Sequence, residues 1–108
     1  MSHNAILNIA DIVPAGEIIE YDPVYKYHTI SSEIAEGNRG YKAEVLENGL
    51  LLTQDFSFIG FTTLTSELRG QTTGQTYKVA TKDWIYAGIR VSDLYDEMMT
   101  DLRQEALA

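Results

Sequence analysis

The side chains that most often carry out catalysis are scarce in this chain of 108 residues. It has no cysteine and two histidines, His3 and His28, whereas a zinc site usually needs about three or four ligands of these types. Ser57 lies between Phe56 and Phe58, without the glycine-flanked turn that exposes a nucleophilic serine. The sequence also lacks a calcium-binding loop and a phosphate-binding loop. We therefore expect no enzymatic activity, no metal and no other cofactor.

The most regular pattern of charged side chains is a row of four carboxylates near the C-terminus. Asp93, Glu97, Asp101 and Glu105 are spaced four residues apart, so on a helix they lie along one face. Like charges at this spacing destabilise a helix slightly. Two interpretations stay open: a solvated helix face, and a face that binds a basic groove on another chain.

A second group of candidate interface residues is aromatic. Tyr25 and Tyr27 alternate with smaller or polar residues in Val24–Ile30, which predicts a strand with one aromatic face. Trp84 and Tyr86 share a face of a later predicted strand in the same way. These rings either pack over the core with their polar atoms in solvent, or form an interface, where tyrosine contributes much of the contact energy.

The polar segment Ser31–Gly40 separates two predicted strands. Ser31 or Ser32 is a suitable cap for one helical turn that ends at Gly37. We expect Arg39 to lie beyond that turn, on a mobile surface arm that becomes ordered against a partner.

Charge and length restrict the classes of function. The chain has 16 acidic and 8 basic residues and a net charge of −8, which argues against direct binding to nucleic acid or to an anionic membrane surface. Neither a signal peptide nor a membrane-spanning run is apparent, so we expect a location in the cytoplasm or in a virion. The length predicts a single domain over residues 1–108.

The most apolar stretch, Leu50–Phe61, predicts a long, bent central strand, with Gly60 at the bend. The Asn48-Gly49 pair before it suits a two-residue type I′ turn. We therefore expect Tyr41–Glu47 to pair with this strand as a hairpin.

Apolar runs with few polar interruptions and threonine-rich stretches predict further strands, at Ala5–Val13, Glu17–Asp22, Thr62–Leu68 and Tyr77–Val91. Ser92 is placed to cap a helix over Asp93–Leu107, in which Leu94, Met98 and Leu102 form an apolar stripe. The predicted fold is mainly β: a small antiparallel β-barrel or sandwich of six or seven strands, with one C-terminal α-helix at about residues 92–107.

These features favour a non-enzymatic structural or interaction protein that acts in a larger assembly, as a homo-oligomer or with other protein partners. Small cysteine-free β domains are common among bacteriophage virion accessory proteins, which decorate capsids or join heads and tails. One alternative is an acidic inhibitor or decoy, of the type phages use against host defences, that occupies a basic groove. A second alternative is a β-barrel that binds a small ligand at a mouth lined by Tyr25, Tyr27, Trp84 and Tyr86.

Overall fold

One antiparallel sheet packs against a layer of helices in the computed structural model, which describes residues 8–24, 32–71 and 76–107. The strands are β1 (Ile18–Tyr21), β2 (Lys42–Val45), β3 (Leu50–Leu52), β4 (Phe58–Gly60), β5 (Trp84–Tyr86) and β6 (Ile89–Arg90). They are arranged in the order β4-β3-β2-β1-β5-β6. The helices are α1 (Ser32–Gly37), α2 (Phe61–Arg69), α3 (Tyr77–Ala80) and α4 (Val91–Leu107), with 3-10 helices at Ile9–Asp11 and Thr81–Asp83.

The hydrophobic core lies between the helices and one face of the sheet. Side chains alternate between the two faces of a strand, and every second residue of the central strands is buried. The buried strand residues are Ile19, Tyr21, Ala43, Val45, Leu51 and Trp84, and α2 adds Phe61, Leu64 and Leu68. We call this side of the sheet the inner face and the opposite side the outer face.

Trp84 is central to the core and is completely buried. Its ring centroid lies 5.4 Å from that of Tyr21, in an edge-to-face arrangement, and 6.0 Å from that of Phe61. Its indole nitrogen donates a 2.8 Å hydrogen bond to the hydroxyl of Thr65. Trp84 is therefore a core residue, and its prediction as an interface residue is wrong.

The predicted antiparallel sheet and C-terminal helix are present, but the fold is mixed α/β rather than mainly β. The described strands form one open sheet, with β4 and β6 at its edges, so the prediction of a barrel or sandwich is not confirmed. The prediction of a single helix is wrong, because α1, α2 and α3 occur as well as α4.

The central stretch forms a hairpin instead of one long strand. β3 and β4 pair in antiparallel register, with Leu52 opposite Phe58, and residues 53–57 form the turn between them. Gly60 does not mark a bend inside a strand; it precedes α2 as the N-cap residue. The polar residues Gln54 and Asp55 interrupt the apolar run at the turn.

The segment Thr62–Leu68 was predicted as a strand but belongs to α2. Phe61, Leu64 and Leu68 are spaced three and four residues apart, which places all three against the core. Its threonines favour strands in isolation, but burial of this apolar stripe outweighs that preference. Gly70 ends the helix in the left-handed conformation, with a φ of 72°.

The region Tyr77–Val91 was predicted as one strand, but it contains α3, a 3-10 helix, β5 and β6. Ala87 and Gly88 connect β5 to β6 with φ angles of 52° and 82°, the two positive values that a type I′ turn requires.

The hairpin of β2 and β3 is confirmed, with Val45 opposite Leu51. The predicted two-residue type I′ turn is wrong. The Gly49 amide donates a 2.9 Å hydrogen bond to the Leu46 carbonyl, and of the Asn48-Gly49 pair only Gly49 has a positive φ, at 85°. The connection is therefore a three-residue loop that ends in a glycine bulge.

At the N-terminus, the described part of the predicted strand Ala5–Val13 contains the 3-10 helix Ile9–Asp11. Asn8 and Asp11 cap it reciprocally through their side chains. The predicted strand at Val24–Ile30 lies outside the described residues except for Val24.

Two helical predictions are confirmed with shifted limits. The single turn predicted after Ser31 is α1. The C-terminal helix begins at Val91, directly after β6, so Ser92 lies in its first turn and is not its cap.

A buried ion pair connects α2 to the start of β5. Arg69 Nη1 and Asp83 Oδ2 are 2.6 Å apart, and both side chains are almost fully buried. The backbone of Val24 donates to Asp83 Oδ1 and accepts from Arg69 Nη2, each at 3.4 Å. Burial raises the pKa of Asp83, and the contact with Arg69 opposes that rise. Arg69 therefore offsets the cost of burying the charged carboxylate of Asp83 in the core.

Replacing Arg69 with methionine leaves Asp83 buried without its cation. We expect the free energy of unfolding to fall by about 3 kcal/mol or more at about pH 7.5. The substitution raises the folded-state pKa of Asp83 further. The protonated Asp83 is tolerated in the core at low pH, but the charged form destabilises the folded state as the pH increases. The loss should therefore be smaller at about pH 5. Urea unfolding at both pH values measures it.

The matched control is Arg103→Met, because Arg103 is exposed on α4 and has no ion pair among the described residues. It should change stability little at either pH. An equal loss for Arg69→Met at both pH values would contradict a role for the charge of Asp83.

Candidate interaction surface

The outer face of the sheet is a surface that no described helix covers. Residues directly opposite each other on antiparallel strands share a face, so the strand register identifies its members. One row across the sheet is Phe58, Leu52, Glu44 and Ile18; the next is Lys42, Glu20, Ile85 and Arg90.

Several outer-face residues are large, apolar and accessible. Phe58 is 67% exposed and Ile18 is 47% exposed, and Leu52 and Ile85 are half-buried. Single exposed apolar residues are common on any protein surface, whereas a group of them on one open face is a feature of interaction sites.

The turn between β3 and β4 adds a second phenylalanine at the edge of this face. Phe56 is 81% exposed and has a φ of 64°, in the left-handed region. For a residue with a side chain this conformation costs about 1–2 kcal/mol, and bulky residues rarely adopt it. Because its ring gains little burial within the chain, Phe56 bears a conformational cost without an intramolecular benefit.

Hydrogen bonds hold this turn in one shape. Thr53 donates its amide to the Ser57 carbonyl at 2.9 Å and accepts from the Ser57 amide, through its hydroxyl, at 3.0 Å. The Phe56 amide donates to the Thr53 carbonyl at 3.0 Å. The Thr53 hydroxyl also donates to Asp55, which lowers the pKa of that carboxyl and favours its charged form. The turn thus presents Phe56 to solvent in a fixed position.

The charged residues on the outer-face strands are Lys42, Arg90, Glu20 and Glu44, and of these Glu44 has no ion pair among the described residues. Lys42 Nζ lies 3.7 Å from Glu20 Oε1. Asp22 accepts from both Arg39 and Arg90, the latter at 2.7 Å. The outer face is therefore locally close to neutral, although the chain carries a net charge of −8.

Arg39 was predicted on a mobile arm, but the structure shows it in a network of contacts. It is 2.7 Å from Glu36 in addition to its contact with Asp22, and the hydrogen bonds to Glu36 raise its pKa well above the ordinary range. The side-chain amide of neighbouring Asn38 donates to the Leu68 carbonyl at 3.0 Å. Contacts within the chain therefore hold this segment without a partner.

The four carboxylates of the predicted acidic row are all exposed on α4, at Asp93, Glu97, Asp101 and Glu105. Among the described residues, no ion pair involves any of them. They lie on a helix that packs on the inner side of the sheet, away from the outer face.

Of the four predicted aromatic interface residues, the structure describes two, Trp84 and Tyr86. Tyr86 is half-buried and donates a 2.7 Å hydrogen bond to Glu17, which raises its pKa. Trp84 is in the core. Tyr25 and Tyr27 lie outside the described residues.

Sequence reasoning missed Phe56, Phe58 and Ile18 as candidate interface residues. The two phenylalanines lie in the most apolar run of the chain, which predicts a central strand for them. The polar residues Gln54 and Asp55 were the available signal that the chain turns just before them.

Within residues 8–24, 32–71 and 76–107, no three histidine, cysteine or carboxylate side chains converge to hold a metal ion. No helix in the same ranges is long and apolar enough to cross a membrane. No protein-family model, curated protein or solved structure shows significant similarity to the chain.

If Phe56 is present for binding and not for stability, a residue that tolerates the left-handed region should stabilise the isolated chain. We expect Phe56→Asn to raise the free energy of unfolding by about 1 kcal/mol. Urea unfolding at low protein concentration measures this change. The control, Phe58→Asn, places asparagine in a strand, where it is unfavourable, and should bring no gain. Destabilisation by Phe56→Asn would show that Phe56 packs within its own chain.

Proposed function

We propose that the chain is a non-enzymatic interaction protein that acts within a larger assembly through the outer face of its sheet. The observation that carries this proposal is Phe56, an aromatic side chain that is 81% exposed in a left-handed backbone. Conformational strain at an exposed residue points to function. Together with Phe58, it supplies the aromatic contacts that dominate the binding energy of protein interfaces.

The rigidity of the turn supports the same proposal. A partner that binds a side chain already held in position does not have to order it, which improves affinity. The hydrogen bonds of Thr53 and Ser57 fix the backbone around Phe56, so the turn is pre-organised for contact.

For the kind of assembly, we propose a bacteriophage virion, in which the chain decorates the capsid or joins head and tail components. The support is the type of chain: a small, cysteine-free domain with a β-sheet and an exposed apolar face. The net charge of −8 makes a protein the partner, and not nucleic acid or an anionic membrane.

Photo-crosslinking tests the proposal while the identity of the partner is still open. With Phe56 replaced by the photoreactive benzoylphenylalanine, illumination in the cells that naturally produce the chain should yield one discrete protein adduct. The aromatic replacement keeps the apolar ring that we expect to enter the interface. The adduct is detected by its mass on a denaturing gel and identified by mass spectrometry.

The control places the same photoreactive residue at Val79, which is 46% exposed on α3 and lies on the helical side of the protein. It should give no discrete adduct. Equal labelling patterns at both positions would contradict a binding role for the outer face.

A second candidate function is an acidic decoy that occupies a basic groove. The specific observation is that α4 carries five carboxylates and one arginine, and its acidic row is exposed and free of ion pairs among the described residues. Such binding depends on charge and weakens as salt screens it.

The decoy function predicts that Asp101→Lys with Glu105→Lys abolishes binding to the basic partner. The same double variant should leave the adduct at position 56 unchanged, because α4 and the outer face lie on different sides of the sheet. Retained partner binding by the double variant, in a pull-down at low salt, would exclude the decoy function.

A further inference from the structure

We infer that the outer face of the sheet binds the outer face of a second copy of this chain, to form a reversible, twofold-symmetric dimer. This inference rests on the proposed function, since it names the partner of the same surface. In such a dimer, each chain contributes one sheet, and the two sheets together form a β-sandwich.

The distribution of charge favours a second copy as the partner. Two molecules with a net charge of −8 repel each other, so they associate best through a surface that contributes little to that charge. The outer face meets this condition, because the two carboxylates on its strands, Glu20 and Glu44, are balanced in charge by Lys42 and Arg90. The exposed carboxylates of α4 lie on the opposite side, where a dimer of this kind keeps them apart.

The order of the strands makes the face self-complementary. β2 and β1 are the two central strands, and Lys42 and Glu20 lie directly opposite each other on them. Two such sheets can stack with their outer faces together around a twofold axis that lies between them, parallel to the strands and level with the gap between β2 and β1. This axis places β2 of each copy over β1 of the other. Lys42 of each copy then lies over Glu20 of the other, so the two pairs form a four-membered ring of alternating charge.

The same axis places the apolar end of each sheet over the opposite end of the other copy. The end formed by β4 and β3, with Phe58 and Leu52, lies over the end formed by β5 and β6, where Ile85 is offset from Leu52 by two residues along the strands. Side chains of stacked sheets interdigitate across about 10 Å, a distance that phenylalanine, leucine and isoleucine side chains fill together.

The size of the face predicts the strength of the dimer. Six strands of about three residues each give a face of roughly 29 Å by 10 Å, so the two copies bury about 600 Å² in all. Stable interfaces bury about 1,200 Å² or more. We therefore expect a weak dimer that dissociates on dilution, with Phe56 adding contact area at its edge.

Charge swaps at the centre of the face test the dimer by sedimentation equilibrium. Lys42→Glu places like charges opposite each other twice in the dimer, and we expect it to weaken dimerisation at least about tenfold. Glu20→Lys should do the same. The double variant Glu20→Lys with Lys42→Glu restores the alternating ring and should restore dimerisation.

The matched control is Lys78→Glu on α3, which is exposed and changes the net charge by the same amount as Lys42→Glu. It should leave dimerisation nearly unchanged. Circular dichroism establishes that each variant is folded before its mass is measured.

The outcomes separate this inference from the proposed function. A wild-type chain that stays monomeric at high concentration, or a dimer equally weakened by Lys42→Glu and Lys78→Glu, overturns the inference. If the crosslink at position 56 nevertheless captures a different protein, the proposed function stands and the second copy is not the partner. An adduct of two copies, together with rescue by the double swap, supports both.

Discussion

The constraint on which the structure depends is that, in the described part of the chain, the helices cover one face of a six-stranded sheet and leave the other uncovered. On the inner face, Trp84 packs against Tyr21 and Phe61 and donates its N–H within the core. The outer face of the same strands carries Ile18 and Phe58, which the chain itself does not bury. The sheet has apolar residues on both faces, but the described helices cover only the inner one. The apolar residues of the outer face can be buried only by another molecule.

Arginine side chains keep that surface in a fixed shape. Arg69 neutralises the buried carboxylate of Asp83, and Arg39 and Arg90 hold Asp22 at the end of β1. These contacts connect α1, α2, β1 and β6 around one end of the sheet. Ion pairs therefore hold the framework around the outer face, and in the proposed interface apolar contact is the main source of binding energy.

The sequence predicted those elements whose signals are local. The hairpin of β2 and β3, the strand β1, the single turn α1 and the helix α4 all follow from turn residues, caps and periodicity within a few residues. Thr62–Leu68 was misassigned because strand propensity and helical spacing conflict there, and contact with the core decides between them. The exposure of Phe58 in β4 was not predictable, because which face of a strand is covered depends on residues distant in the sequence.

The most direct test of the account is the concentration dependence of methyl NMR signals from the two faces of the sheet. A dimer through the outer face predicts that signals of Ile18, Leu52 and Ile85 shift as the protein is concentrated, whereas those of the buried residues Ile19 and Leu51 stay in place. Shifts confined to the methyl groups of α4, or no shifts on the outer face over the range in which the mass increases, would contradict the account.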